Sequence, residues 1–86
     1  MEGKKAKVYI CGRWGFSSKK QKLETALAEL LPAAKDAVEI LPGEFQQLKV
    51  EFENQGNTQV LHEKVGQGFW SDESPSQICQ LLSQHF

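Results

Sequence analysis

The sequence predicts an α/β domain in which a mixed four-stranded sheet packs with two helices in the order βαβββα. Three observations carry that expectation. Ala6, Val8 and Ile10 alternate with Lys5, Lys7 and Tyr9, and Leu48, Val50 and Phe52 alternate with Lys49, Glu51 and Glu53, the period of half-buried strands. Leu23, Ala26, Leu27, Leu30 and Leu31 recur at helical spacing instead. Asn54-Gln55-Gly56-Asn57 is a turn cluster ahead of a further extended run, Thr58 to Val65, so the last two strands form an antiparallel hairpin.

The remaining elements follow in order. The first strand delivers Cys11 to its C-terminal end, where open α/β sheets gather loops and helix N-termini. Ser17 or Ser18 is expected to cap the first helix, and Pro32 to end it. Ala37 to Leu41 reads as a second strand, parallel to the first, which closes a right-handed βαβ unit. Pro42 reads as an ordinary turn proline. Gly66 and Gly68 end the fourth strand, and Ser74-Pro75 opens a closing helix with Ile78, Leu81, Leu82 and Phe86 on its apolar face.

Composition bounds the function. Eighty-six residues, 40% hydrophobic and 24% charged, suit one ordinary core, so residues 1–86 form a single domain. A net charge of -1 gives no reason to bind nucleic acid or an acidic membrane surface. Neither partner is expected, and the chain is expected to be a monomer. Met1-Glu2-Gly3-Lys4-Lys5 leads into no long apolar stretch, and two cysteines make no disulfide framework, so a reducing, cytoplasmic setting is expected. Cys11, Cys79, His62 and His85 lack the paired spacing of a zinc site. No metal and no tightly bound cofactor are expected.

Charge is uneven along the chain. Lys4, Lys5, Lys7, Arg13, Lys19, Lys20 and Lys22 are seven of its ten basic residues, so the region around Cys11 is expected to be electropositive. A thiol between a strand end and a helix N-terminus also meets the helix dipole and free N–H donors, and all three influences favour thiolate. Gly12 and Gly15 would let another backbone approach closely. Phe69 and Trp70 are expected either to line a shallow apolar patch beside this loop or, in the case of Trp70, to cover the sheet edge. Cys79 falls near the apolar stripe of the last helix and reads as buried; a bridge to Cys11 is a weak option. His62 is expected to face away from Leu61 as an exposed sheet histidine, and His85 to fray at the chain end.

Lys7-Val8-Tyr9-Ile10-Cys11-Gly12-Arg13-Trp14-Gly15-Phe16, followed by a Lys- and Leu-rich helix, resembles the selenoprotein W group of the Rdx family. Val50-Glu51-Phe52, Val60-Leu61-His62-Glu63-Lys64 and Gly66-Gln67-Gly68-Phe69 resemble its third strand, fourth strand and glycine-rich exit. The likeness spans nearly the whole chain and is weakest in the second strand. It implies a thioredoxin-like fold and a small thiol protein linked to glutathione and to redox control of partner proteins. Cys11 matches the motif cysteine, whereas Trp14 stands at the selenocysteine or second-cysteine position. Because the UGA and UGG codons differ by one base, an evolved, an engineered and a misread residue all remain open for position 14.

Two functions follow as expectations. One is a glutathione-linked oxidoreductase or redox sensor with Cys11 as its single reactive thiol, impaired as an enzyme by Trp14 and contacting its partner through Gly12, Arg13, Gly15, Phe16, Phe69 and Trp70. The alternative is a non-catalytic protein-interaction module that uses the aromatic side chains of Trp14, Phe16, Phe69 and Trp70. A cluster carrier of the monothiol glutaredoxin kind lacks support, since the full Cys-Gly-Phe-Ser motif is absent.

Overall fold

The computed structural model describes residues 3–86; Met1 and Glu2 of the N-terminal segment lie outside them. The chain forms β1 (Lys4–Cys11), α1 (Phe16–Leu30), a 3₁₀ helix (Pro32–Ala37), β2 (Val38–Gly43), β3 (Gln47–Asn54), β4 (Asn57–Val65) and α2 (Ser74–Ser83). The βαβββα order holds, and the sheet is mixed, in the order β2-β1-β3-β4. Strand β1 is parallel to β2 and antiparallel to β3, with Val8 opposite both Ile40 and Val50.

Alternation decides which side of the sheet is covered. Ala6, Val8 and Ile10 of β1 and Leu48, Val50 and Phe52 of β3 are buried on one face, where they meet Leu23 and Leu27 of α1 and Ile78, Cys79 and Leu82 of α2. The opposite face carries their polar neighbours. There Lys49 pairs with Glu51 at 3.2 Å and Lys5 with Glu53 at 3.9 Å. Such partly exposed pairs add little to stability.

Several local expectations change. Helix α1 begins at Phe16 with no side-chain cap; Gly15, at φ 66°, is the cap residue, and its carbonyl accepts the Lys19 N–H at 3.0 Å. A left-handed residue turns the chain into the helix there, so neither Ser17 nor Ser18 is needed. Leu30 is 57% exposed rather than part of the buried stripe. The helix ends at Leu30, and Leu31 leaves helical geometry and packs on the core in its place. Pro32 then opens the 3₁₀ helix, where its missing N–H costs nothing. Pro42 lies inside β2, opposite Ile10, because β2 is an edge strand and tolerates a proline.

The Gln55-Gly56 hairpin turn has positive φ at both residues, 53° and 88°, the geometry whose twist suits adjoining strands. In β4 a bulge opposite Val50 and Glu51 breaks alternation. Leu61 packs on the core and His62 lines a groove against α2, so the two share a side rather than facing apart. In α2, Ser74 is the first helical residue, and its Oγ accepts the Ser71 N–H at 2.9 Å. His85 does not fray; its ring lies 5.2 Å from that of Phe52, and Phe86 meets the same ring edge-on at 5.1 Å.

The burial contrast on α1 gives a direct check. Leu27→Ala is expected to cost about 2–5 kcal/mol of unfolding free energy, since it removes atoms from a closed core. Leu30→Ala should stay within about 0.5 kcal/mol. Urea titration of both variants, read as midpoint shifts at constant slope, distinguishes them.

Candidate thiol site

Strand order places Cys11 beneath a bridge. Strands β2 and β3 flank β1 on either side, and both have an end beside the C-terminal end of β1. The short connection 44–46 therefore crosses over that end. Cys11 lies opposite Gly43, and the Gly12 N–H donates to the Gly43 carbonyl at 3.3 Å. The approach is tight, since a Cβ on Gly12 would stand 3.0 Å from Pro42 Cβ and 3.3 Å from the Gly43 carbonyl oxygen.

Gln46 completes the bridge in left-handed geometry at φ 53°, which is unusual for a residue with a side chain. Its carbonyl accepts the Gly66 N–H at 2.8 Å, and its backbone N–H is among the groups that lower the Cys11 thiol pKa. Gln47 fixes the other side of the loop, its Oε1 accepting the Glu44 N–H at 2.9 Å.

Cys11 is 1% exposed. Burial pushes its thiol pKa up, but the backbone N–H groups of Trp14, Arg13 and Gln46 and the Lys19 ammonium together outweigh it, leaving the pKa below the ordinary thiol value. Lys19 is held in place twice: its Nζ donates to the Trp14 carbonyl at 2.9 Å and lies 5.8 Å from the centre of the Phe69 ring. Arg13 acts on the thiol through its backbone amide.

The electropositive setting is smaller than the sequence implies. Lys4, Lys5 and Lys7 lie toward the opposite end of β1, with Lys4 about 23 Å from Cys11 at strand spacing. Lys20 lines a depression beside Glu24, Lys35 and Asp36 along β2. Among the described residues, Lys19 is the side-chain cation that bears on the thiol.

The expected contact residues separate into two groups. Trp14 is 71% exposed, and Gly12, Arg13 and Gly15 are exposed beside it. Phe16, Phe69 and Trp70 are half-buried and pack on the core. Sequence reasoning missed Gln46 and Phe45. Phe45 is 49% exposed in the loop that crosses Cys11, and an aromatic residue among Gly43, Glu44, Gln46 and Gln47 was its visible signal. A shallow depression of about 440 Å³ adjoins this end of the sheet on its uncovered face, lined by Tyr9, Pro42, Gly43, Glu44, Gln47, Lys49 and Glu51. Its two carboxylates against one ammonium make it a poor seat for an anion.

Cys79 is buried on α2, and burial pushes its thiol pKa up. Both cysteines are free thiols. Among the described residues no group of three His, Cys, Asp or Glu side chains converges to hold a metal ion. The chain matches no family model, no curated protein and no solved structure.

The opposite displacement of the two thiols is measurable. In a pH series of iodoacetamide labelling read by peptide mass, Cys11 is expected to titrate below Cys79. Lys19→Met should move the Cys11 midpoint upward. Gln46→Gly should leave it in place, because glycine keeps the amide and adopts the same φ at less cost. Gly12→Ala is expected to destabilise the fold by about 1–3 kcal/mol through overpacking at Pro42.

Proposed function

We propose that the protein is a cytoplasmic, glutathione-linked thiol redox protein, an oxidoreductase or redox sensor of the selenoprotein W kind, that works through the single thiol of Cys11. What carries this reading is the place of Cys11 at the end of β1 beneath the connection 44–46, with its thiol pKa held below the ordinary value by the backbone N–H groups of Trp14, Arg13 and Gln46 and by the Lys19 ammonium despite burial. A merely structural cysteine has no need of that arrangement; Cys79, buried without such donors, is displaced the other way. No helix among the described residues is long and apolar enough to cross a membrane.

The chemistry is a two-step exchange. The Cys11 thiolate attacks the glutathione sulfur of a mixed disulfide between glutathione and a protein. The S–S bond breaks, the protein thiolate leaves and takes a proton from water, and Cys11 carries the glutathionyl group. The thiolate of a free glutathione then attacks that group's sulfur, releasing glutathione disulfide and restoring the Cys11 thiolate. The indole of Trp14 cannot resolve the intermediate, so the external thiol is required. Because Cys11 is 1% exposed, each attack waits for the loop of Gly12, Arg13, Trp14 and Gly15 or the connection 44–46 to open. Arg13 and Lys19 flank that opening and suit the carboxylates of glutathione.

A second reading has its own observation. Trp14 and Phe45, 71% and 49% exposed, project from the two loops that meet at Cys11, as anchors for a protein partner would. A non-catalytic thioredoxin-like module would use that surface and leave the thiol idle.

Incubation with glutathione disulfide, followed by intact mass, separates the two. The redox reading expects one added glutathionyl group, on Cys11, lost in Cys11→Ser and removed by reduced glutathione. It also expects Cys11 to be slowed at least about tenfold more toward a bulky maleimide than toward iodoacetamide, each rate taken relative to free glutathione, since each must pass the same opening. No adduct at pH 8, with partner binding indifferent to Cys11→Ser, would leave the interaction module standing alone.

A further inference from the structure

Away from Cys11, a groove of about 250 Å³ lies between β4 and α2. Its floor is Leu48, Val50 and Ile78, with Leu81 and Phe69 at the sides. Two cationic or hydrogen-bonding side chains, His62 and Lys64, stand along one wall, and Ser71, Ser74 and Gln77 along the other. Phe69 alone is shared with the surroundings of the thiol.

The groove follows from how the outer strand is built. Lys64 and His62 lie opposite Leu48 and Val50, so β4 presents polar groups on the side where β1 and β3 present core residues. Helix α2 packs against α1 and leaves β4 held chiefly by β3. What remains is an apolar trough with a basic wall. Among the described residues neither Lys64 nor His62 forms an ion pair. Two carboxylates next to the trough's lining residues in sequence have other partners: Glu63 accepts from Gln47 Nε2 at 3.4 Å, and Glu73 from Ser71 Oγ at 3.4 Å.

We propose that this groove binds a small monocarboxylate with an apolar body, its carboxylate on Lys64 and His62 and its body against Phe69, Ile78 and Leu81. Volume argues for a small molecule rather than a helix or peptide, since about 250 Å³ lies just under the usual range of ligand pockets. Charge selects the head group: an ammonium and an imidazole face the trough, and no carboxylate lines it. The serine hydroxyls and the Gln77 amide would take any second polar group on the ligand. The site is independent of the thiol reading.

Octanoate and indole-3-acetate serve as probes, with 1-octanol as the uncharged control, titrated into ¹⁵N-labelled protein and followed by amide shifts. Saturable shifts are expected at Lys64, Gly68, Phe69 and Gln77 for both acids and not for the alcohol. Lys64→Glu, on an exposed edge strand where folding is not at stake, should weaken octanoate at least about tenfold, and Lys64→Arg should retain it within about threefold. The same binding is expected in Cys11→Ser. Absence of saturable shifts up to about 10 mM acid, a Kd of about 1 mM or tighter being the meaningful range, would overturn the proposal. So would equal response to 1-octanol, undiminished binding in Lys64→Glu, or shifts centred on the uncovered sheet face.

Discussion

Everything in this small fold hangs on β1, one of the two strands bonded along both edges and the one that carries Cys11 at its end. It pairs with β2 on one side and β3 on the other, and its Ala6, Val8 and Ile10 fill the middle of the core. Parallel pairing on one side and antiparallel pairing on the other force the link between β2 and β3 to pass over its C-terminal end. A residue at that end is roofed by backbone whatever its side chain. Cys11 occupies that position, and its burial is a consequence of strand order before it is a matter of chemistry.

The roof has two opposed effects on the sulfur. It strips water from the thiolate, which disfavours charge, and it supplies an amide from Gln46 that joins those of Arg13 and Trp14, which favours it. The donors win here because they converge from both sides of the strand end and because Lys19 is fixed by the Trp14 carbonyl and the Phe69 ring. The same geometry favours the thiolate and makes the sulfur hard to reach. On the proposed reading, reaction is governed by how often the loops part, a property of the backbone, rather than by thiolate supply alone.

The element order was legible from periodicity because β1, β3 and α1 each bury one clean stripe. What the pattern could not show were the points at which backbone conformation overrides it. Gly15 displaces the serines as the start of α1, Leu31 takes the place of Leu30, and the bulge in β4 brings His62 round to the side of Leu61. At the site, Cys11 and its neighbours were visible in the order of residues along one segment. Gln46 was not, since its contribution is a main-chain N–H in a residue of positive φ, and no side-chain type announces that. The basic cluster misled for the converse reason: nearness in sequence along an extended strand is distance in space.

The bulge and Pro42 have one more effect, on what this sheet does to its neighbours in a crowded solution. Any open sheet offers two rows of unpaired backbone groups to other chains. Pro42 removes a donor from the outer row of β2, and that strand is only six residues long. Along β4 the extra residue twists the row and sets His62, Glu63 and Lys64 across it. Both margins are thereby poor templates for strand-to-strand growth.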